Sequence, residues 1–351
     1  MKILLTGGCG FIGSAVVRHV LRATSHNIVN VDKMTYAASE AALEEASGNP
    51  RHQLIRADIA DALAMPAIFA EHRPDAVMHL AAETHVDRAI DGPAPFVHSN
   101  IVGTYVLLEA ARAYWNKLDA SARSAFRFHH ISTDEVFGEL DDTAPPFTEA
   151  SPYRPRSPYS ASKASADHLV RAWHRTYGLP TLVSNTTNNY GPWQFPEKLM
   201  PLTILNALEG KPLPVYGDGA NRRDWIFVED HAEALVRVIE RGEPGATYCI
   251  GARQPRRNID VVRAVCATVD ELLPDPAGRR ERLIHFVTDR PGHDFRYEID
   301  PSTAETALDW RARHDLERGI RKTVEWYLGH RPWWEDIREK RYAGERLGTA
   351  A

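Results

Sequence analysis

Residues 6–13 read TGGCGFIG, and this stretch decides the fold of the 351-residue chain. The apolar run Ile3–Thr6 before it predicts a strand, and the amphipathic run Ile12–Arg22 after it predicts a helix. Gly7, Gly10 and Gly13 are spaced three residues apart, as in a dinucleotide-binding turn. They permit a tight bend, close approach of the backbone to a pyrophosphate, and close packing of the helix on the sheet. The helix N-terminus adds amide donors and a positive dipole. A purely structural turn is the alternative.

A carboxylate, Asp32, ends the next predicted strand about 20 residues beyond the glycine turn. At that position a carboxylate accepts hydrogen bonds from an adenosine ribose and repels a 2′-phosphate, so the sequence favours NAD over NADP. The neighbouring Lys33 is the one residue that argues for NADP. The alternative for Asp32 is a turn-forming role at the strand end.

The first half of the chain alternates short apolar runs with amphipathic stretches, which is typical of βαβ units. The predicted strands are Ile3–Thr6, Ile28–Asp32, His52–Ala57, Ala76–Leu80, Phe126–Ser132 and Thr181–Asn185. The predicted helices include Ile12–Arg22, Phe96–Trp115 and Ala161–Tyr177. We therefore expect an α/β fold with a doubly wound, Rossmann-type parallel sheet.

The pattern changes after about residue 187, where repeated prolines interrupt shorter pieces. Trp225–Val228 and Asp230–Arg241 predict one more strand and helix that return to the first domain, with Asp230 as the N-cap. We expect a smaller, partly discontinuous α/β substrate domain. The predicted NAD-binding domain comprises residues 1–187 plus about 218–245, and the predicted second domain comprises about 188–217 and 246–345.

The composition excludes several classes of protein. A formal charge of -5 and a pI near 6.4 give no basic excess for binding nucleic acid. No apolar run approaches the roughly 18 residues of a membrane helix, and the early glycine turn leaves no room for a signal peptide. The cysteines lack CxxC spacing, and His129 and His130 lie in an apolar strand pattern, so we predict no metal site. We expect a cytoplasmic enzyme.

Tyr159 and Lys163 stand four residues apart, which puts them on one face of a predicted helix. The Lys163 ammonium can then lower the pKa of the tyrosine, so that a phenolate accepts a proton from a substrate hydroxyl. Thr133, at the end of a predicted strand, supplies a hydroxyl that can hold the same substrate oxygen. The alternative is a surface pair, because this spacing is common.

Two carboxylates, Asp134 and Glu135, follow Thr133 at the carboxyl end of that strand, where ligands bind in open α/β sheets. Simple hydride transfer needs no such pair. Elimination of water needs one group that removes a carbon-bound proton and another that protonates the departing hydroxyl. The alternative is that the two carboxylates cap a following helix.

Further motifs are spread along the chain. They are HLAAETHVDR at 79–88, HHISTDEV at 129–136, SPYSASK at 157–163, NNYGP at 188–192, FPEKLMP at 195–201, LEGKPLPVY at 208–216, RDW at 223–225 and RPGHD at 290–294. Together they resemble the dTDP-glucose 4,6-dehydratase family, which belongs to the extended short-chain dehydrogenase/reductase superfamily. The resemblance covers residues 2 to about 333, and the Thr-Asp-Glu triplet separates this family from its sister enzymes.

The resemblance implies a reaction and a role for each residue. Tyr159, assisted by Thr133 and Lys163, corresponds to the base that helps oxidise C4 of the sugar while NAD accepts a hydride. Glu135 corresponds to the group that removes the C5 proton, and Asp134 to the acid that protonates the C6 hydroxyl. The hydride then returns to C6, so NAD is regenerated in each turnover and stays tightly bound. The expected product is dTDP-4-keto-6-deoxyglucose.

The resemblance also implies two sets of binding residues. For NAD they are Gly7, Gly10, Phe11, Ile12, Gly13, Asp32, Lys33, Thr35, Asp58, Ile59, Leu80, Ala81, Ala82, Tyr159, Lys163 and Asn188. For a dTDP-hexose they are Glu83, Thr84, Thr133, Asn189, Lys198, Leu199, Pro214, Tyr216, Arg223, Asn258, Arg290 and His293. Arg223 is the predicted diphosphate contact, since a guanidinium can meet phosphate oxygens in a bidentate way, and a solvent-exposed arginine is the alternative.

Other functions on the same scaffold stay open. The nearest are another NDP-sugar 4,6-dehydratase, a 4-epimerase and a decarboxylase, and Asp134 beside Glu135 argues against the last two. A catalytically silent NAD-binding protein is the alternative from a different class, since a fold does not guarantee chemistry. The resemblance also implies a homodimer in which Phe96–Trp115 and Ala161–Tyr177 pack as a four-helix bundle.

Overall fold

The computed structural model describes residues 1–345, 347 and 348 and shows a Rossmann-type sheet between layers of helices. The strands are β1 (Lys2–Thr6), β2 (Asn27–Asp32), β3 (His52–Arg56), β4 (Ala76–His79), β5 (Arg127–Thr133), β6 (Thr181–Thr186), β7 (Asn188–Tyr190), β8 (Leu213–Tyr216), β9 (Arg222–Phe227), β10 (Thr247–Ile250), β11 (Pro255–Arg257) and β12 (Ile284–Val287). The α-helices are α1 (Phe11–Ala23), α2 (Ala64–His72), α3 (Val86–Asp91), α4 (Ala94–Phe96), α5 (Thr104–Trp115), α6 (Ala120–Ala125), α7 (Pro158–Tyr177), α8 (Leu199–Glu209), α9 (Val228–Arg241), α10 (Asn258–Leu272), α11 (Ser302–Leu308), α12 (Leu316–Gly329) and α13 (Arg331–Lys340).

The large sheet has seven strands in the order β10-β6-β5-β4-β1-β2-β3, and neighbouring strands run parallel. In β1, Ile3 and Leu5 pack in one core with α1 and α9, whereas Leu4 packs in the opposite core with α2 and α5. Burial on both faces explains why this strand is apolar throughout. The six strands predicted for the first half are confirmed, with ends that shift by about one residue.

The prediction that the strand at Trp225 returns to the first domain is wrong. This strand, β9, lies between β7 and β11 in a separate three-stranded sheet and does not join the large one. The outermost strand of the large sheet is instead β10, which pairs with β6, although the sequence assigns residues 246–345 to the second domain. An apolar run predicts a strand, but the sheet that it joins depends on pairing with distant segments.

Helix α9 does return to the large sheet, where it contacts α1, but Asp230 is not its N-cap. The helix begins at Val228 without a side-chain cap, so Asp230 lies in its first turn. There Oδ2 of Asp230 accepts hydrogen bonds of 2.9 Å from the backbone amides of Arg313 and His314. The carboxylate therefore fixes a distant segment instead of its own helix end.

The helix predicted over Phe96–Trp115 is divided by a π-helical segment, Val97–Gly103, between α4 and α5. The Thr104 hydroxyl donates a 2.6 Å hydrogen bond to the Asn100 carbonyl, a contact that competes with regular helix bonding. Gly103 packs against Ile59 so closely that a Cβ would stand 2.7 Å from its side chain. Hydrophobic periodicity does not reveal such a widened turn. The predicted helices at α1 and α7 are confirmed.

A further core lies between α8, α10, α12 and α13 and includes side chains of the three-stranded sheet. The first residue of this core in the sequence is Tyr190, which is close to the predicted domain boundary. The domain limits themselves stay a prediction. In the part of the chain that the structure describes, no helix is long and apolar enough to cross a membrane.

Candidate active site

One cavity lies at the carboxyl ends of the large-sheet strands, and most of the predicted site residues line it. Every predicted catalytic residue and every predicted NAD-binding residue belongs to its wall. The predicted substrate residues in the wall are Glu83, Thr84, Thr133, Asn189 and Lys198. The others lie outside the wall, and they are Leu199, Pro214, Tyr216, Arg223, Asn258, Arg290 and His293.

The glycine turn leaves an open cradle at one end of the cavity. Gly7 has a φ of +77°, and a Cβ on it would stand 2.7 Å from the Ala81 amide nitrogen. A Cβ on Gly13 would stand 2.0 Å from the Gly7 carbonyl oxygen, so no side chain fits there. Helix α1 begins directly after the turn at Phe11, with its amide groups at the cavity. This arrangement suits a pyrophosphate.

Asp32 is held in place by two backbone amides at the edge of this cradle. Its Oδ2 accepts a 2.8 Å hydrogen bond from Cys9, and its Oδ1 accepts one of 2.8 Å from Met34. The Lys33 ammonium lies 2.5 Å from Oδ2 of Asp58, so the cation that argues for NADP already has a carboxylate partner. The geometry therefore favours an unmodified adenosine ribose over one with a 2′-phosphate.

The end of β5 holds the two carboxylates. Thr133, and neither carboxylate, caps the short 3-10 turn that follows, because its side chain accepts a hydrogen bond from the Glu135 amide. Asp134 is 1% exposed, and its Oδ2 has no hydrogen-bond partner among the described residues. Burial and the Glu135 carboxylate raise the pKa of Asp134 to about 8. Asp134 is therefore mainly protonated at neutral pH.

Glu135 differs from Asp134 in its surroundings. Burial raises the pKa of Glu135, and the nearby cations Arg290, Lys198 and Arg223 oppose that rise. The two adjacent carboxyl groups thus differ in their surroundings: the Glu135 carboxylate adds to the rise in the pKa of Asp134, whereas three cations oppose the rise in the pKa of Glu135. Such a pair can supply an acid and a base to one substrate.

Tyr159 and Lys163 lie on the first turns of α7. A capping box between Ser157 and Ser160 fixes the start of this helix. Tyr159 is 7% exposed and Lys163 is 4% exposed, and the Lys163 ammonium donates a 2.8 Å hydrogen bond to the Ile131 carbonyl. Burial lowers the pKa of Lys163 to about 8 and raises that of Tyr159. The tyrosine therefore needs a nearby cation to act as a base.

Asp87 of α3 contacts two predicted substrate residues that lie outside the cavity wall. Its Oδ2 accepts a 3.0 Å hydrogen bond from the Tyr216 hydroxyl, and its Oδ1 accepts one of 2.9 Å from Arg290. Both partners come from the second half of the chain. The sequence analysis assigns no role to Asp87, although it lies within the HLAAETHVDR motif.

Arg223 is 5% exposed, which excludes the alternative of a solvent-exposed arginine. Its guanidinium donates hydrogen bonds of 2.7 Å to the Asp294 carbonyl and 3.2 Å to the Phe295 carbonyl, and it lies 4.4 Å from the centre of the Tyr297 ring. These contacts fix its cation near Glu135. Its contact with a diphosphate stays a prediction.

The remaining predicted substrate residues are spread over the second half of the chain. Leu199 and Asn258 begin α8 and α10, and Pro214 lies in β8. The His293 imidazole contacts the Asp289 carboxylate at 2.6 Å. The contact of each of these residues with a dTDP-hexose stays a prediction.

Several residues of the cavity wall are not predicted from the sequence. They are Val31, Ala37, Ala38, Ala57, Ser99, Ile131, Ser132, Thr186, Thr187, Gln194, Phe195, Glu197 and His231. Glu197 has a side chain that is only 3% exposed, and it pairs with Arg88 at 2.9 Å. The sequence offers one signal for Glu197, which is its position directly before Lys198 in the FPEKLMP motif. A carboxylate that is buried there needs a charged or hydrogen-bonding partner.

Across residues 1–345, 347 and 348, no group of three or more His, Cys, Asp or Glu side chains could hold a metal ion. Cys9, Cys249 and Cys266 are buried and unpaired. The cavity instead combines a dinucleotide cradle, a Tyr–Lys pair and two buried carboxyl groups in different electrostatic surroundings. These groups can oxidise a hydroxyl and eliminate water.

Comparisons with known proteins agree with this chemistry. The family model for GDP-mannose 4,6 dehydratase matches residues 4–323. The chain is 57% identical to a dTDP-glucose 4,6-dehydratase from Escherichia coli and 58% identical to one from Neisseria meningitidis serogroup B, with 99% of each chain covered in both cases. The crystal structure of a dTDP-glucose 4,6-dehydratase from Streptomyces venezuelae with NAD bound has a TM-score of 0.86 and 38% identity, and the match covers 96% of this chain and 100% of that one.

Proposed function

Because the chain belongs to the dTDP-glucose 4,6-dehydratase family, we propose that it removes water from dTDP-glucose to give dTDP-4-keto-6-deoxyglucose, with NAD as its cofactor. The observation that carries this proposal is the position of Asp134 and Glu135. Both lie at the end of β5, in the same cavity wall as Tyr159 and Lys163. Elimination needs this acid and base in addition to the hydride-transfer pair.

The residues of the cradle fit NAD. The glycine turn leaves room for a pyrophosphate, the start of α1 offers amides, and the fixed Asp32 carboxylate suits a ribose. When bound, NAD accepts a hydride from C4 and returns it to C6, so it is regenerated and need not leave. We propose that the predicted NAD residues, from Gly7 to Asn188, hold it tightly.

The roles of the catalytic residues follow from their surroundings. Tyr159 takes the proton of the C4 hydroxyl, while the Lys163 ammonium stabilises the phenolate and the Thr133 hydroxyl holds the same oxygen. The C4 ketone acidifies the C5 proton, which Glu135 removes. Asp134 donates its proton to the C6 hydroxyl, which leaves as water. When the hydride adds to C6, C5 regains a proton from Glu135. The raised pKa of Asp134 suits this acid role at neutral pH.

The substrate diphosphate is proposed to lie against the cations around Glu135. Lys198 lines the cavity, and Arg223 and Arg290 lie close enough to Glu135 to affect its pKa. We propose that these cations, with the other predicted substrate residues, bind the nucleotide part. A 4-epimerase or a decarboxylase needs no acid at C6, so the buried, protonated Asp134 disfavours both.

Incubation of the purified protein with dTDP-glucose, without added cofactor, tests the proposed function. We expect a product lighter by one water, seen by mass spectrometry, and the alkaline absorbance of a 4-keto sugar. Isomerisation without loss of mass would indicate an epimerase instead. No reaction with dTDP-glucose, followed by activity on a UDP-, CDP- or GDP-hexose, would change the nucleotide assignment only.

We also propose that the enzyme is a cytoplasmic homodimer. The buried, unpaired cysteines fit a reducing compartment. Tyr105 on α5 and Tyr177 on α7 are 47% and 46% exposed, and Val97 beside α5 is 50% exposed, so these helices present apolar surface that a second copy can cover. Light scattering at several protein concentrations tests the dimer, and a mass of one chain throughout would contradict it.

A further inference from the structure

A buried ionic network lies behind Lys163, and the proposed reaction does not use it. Asp167 of α7 and His130 of β5 are both 0% exposed. Oδ1 of Asp167 lies 3.2 Å from Nε2 of His130, and the same imidazole nitrogen lies 3.5 Å from the Lys163 ammonium. The same imidazole nitrogen thus faces both groups, and in the neutral ring it either donates to the carboxylate or accepts from the ammonium.

Three donors hold the other oxygen of Asp167. Oδ2 accepts hydrogen bonds from the Ser132 hydroxyl at 2.9 Å, the Tyr153 hydroxyl at 2.7 Å and the Asn185 amide at 3.2 Å. Burial alone would raise the pKa of Asp167, but the contact with His130, the Lys163 ammonium and the hydrogen bond from Tyr153 lower it below its ordinary value. The carboxylate therefore stays ionised inside the protein.

A buried lysine tends to lose its proton unless an anion lies nearby. Burial lowers the pKa of Lys163 to about 8, and Asp167 is the charged group that opposes this fall. His130 is neutral at physiological pH, because burial and Lys163 lower its pKa to about 4. The other titratable or charged groups that the described part of the chain places around this network are His79 of β4, His129 of β5, Asp134 and Glu135 after β5, Tyr153 of the 139–157 loop, and Tyr159 and Arg171 of α7.

We propose that Asp167 is a positioning residue for C4 oxidation: together with His130, it keeps Lys163 in place and in the ammonium form beside Tyr159. The inference rests on the proposed function, because it assigns a support to the Tyr–Lys pair of that reaction. Tyr159 acts as a base only while the ammonium stabilises its phenolate. Asp167 therefore sets the upper pH limit of the first hydride transfer.

The variant Asp167→Asn, in the NAD-loaded full chain, removes the charge and can keep the hydrogen bonds. Its amide oxygen can accept from the three donors, and its NH₂ group can face Nε2 of His130. Single-turnover formation of enzyme-bound NADH from dTDP-glucose is measured over a pH series. We expect the alkaline limb to move to lower pH by about one unit or more, with an unchanged NAD content.

A second readout needs no turnover. The Lys163 ammonium is titrated by ¹⁵N NMR in lysine-labelled, NAD-loaded protein, and its signal is assigned with Lys163→Met. We expect Asp167→Asn to lower the measured pKa of Lys163 by a similar amount. Asp167→Ser is a second uncharged variant, with a smaller side chain, for use if the asparagine variant does not fold.

Two controls separate the charge from the packing. Asp167→Glu retains the carboxylate and is expected to keep the alkaline limb of the wild type, with a lower maximum rate. Asp119→Asn removes an acidic charge at the N-cap of α6, outside the network, and is expected to leave the profile unchanged.

An equal loss of rate at every pH in the uncharged variants, with the limb and the Lys163 titration unmoved, would overturn the proposal. A wild-type protein that forms no NADH from any hexose nucleotide would contradict the proposed function instead. In that case the NMR titration still decides the part of the inference that concerns Lys163: a downward shift in the uncharged variants supports the link between Asp167 and the ammonium, and an unmoved pKa of Lys163 refutes it.

Discussion

The Tyr36 hydroxyl donates a 2.9 Å hydrogen bond to Oε1 of Glu197, and this contact joins the loop after β2 to the segment before α8. Arg88 of α3 completes the arrangement, because it donates a 2.9 Å hydrogen bond to Oε2 of Glu197 and its guanidinium lies 4.1 Å from the centre of the Tyr36 ring. The loop around Tyr36 forms part of the cavity wall. The loop therefore cannot open without breaking contacts to a buried carboxylate.

Tyr36→Phe is expected to speed the release of NAD by roughly 10- to 100-fold, because a hydrogen bond to a charged group contributes about 1.5–3 kcal/mol. The NAD that remains bound is measured after timed gel filtration. Tyr248→Phe is the matched control, since its hydroxyl accepts a hydrogen bond from the Glu243 amide and Tyr248 does not line the cavity. Equal release from both variants and the wild type would show that the Tyr36 contact does not retain NAD.

Gly13→Ala is expected to abolish NAD binding, because the added Cβ would stand 2.0 Å from the Gly7 carbonyl oxygen. Either the turn or the start of α1 must then move away from the pyrophosphate position. The measurement is the NAD content of the purified variant. Gly48→Ala is the control, since nothing lies within 4 Å of a Cβ there, although its φ of +72° costs some stability. A Gly13→Ala protein with full NAD content would contradict the proposed cradle.

The predicted NAD residues all line one cavity because local sequence patterns place them, and their contact with NAD stays a prediction. The glycine turn, the strand-end Asp32 and the Tyr159–Lys163 spacing lie within single βα units, so their placement needs only the order of the strands. All of them line the cavity.

The parts that the sequence does not predict depend on contacts between distant segments. Asp87, Glu197 and Asp167 each act through partners from other elements, and no local pattern marks a buried carboxylate with its partners. The prediction for β9 is wrong for the same reason, because this strand pairs with β7 and β11, which lie outside the large sheet. Pairing between segments that are distant in sequence is visible only in the folded structure.

Tyr159→Phe is expected to prevent the first hydride transfer, because phenylalanine cannot take the proton of the C4 hydroxyl. No NADH absorbance should develop at any time after dTDP-glucose is added. NAD content and thermal stability serve as controls for the fold. Visible reduction of the bound cofactor would exclude Tyr159 as the essential base.

Asp134→Asn is expected to leave C4 oxidation intact and to slow water loss by about 10²-fold or more, which is the usual contribution of a general acid. Bound NADH should then accumulate, since the hydride cannot return to C6 before elimination. Stopped-flow absorbance follows the NADH, and rapid-quench mass spectrometry follows the loss of water. Water loss at the normal rate would contradict the acid role of Asp134.

The raised pKa of Asp134 also predicts how water loss depends on pH. The acid must carry a proton to assist the departing hydroxyl, and its pKa is about 8, so the protonated fraction is high below that value and falls as the pH rises through it. The rate of water loss, measured by rapid quench after C4 oxidation, should therefore decline on the alkaline side. The same decline should be absent in Asp134→Asn, whose amide does not titrate. A wild-type rate that keeps rising above pH 8 would show that another group protonates the leaving hydroxyl.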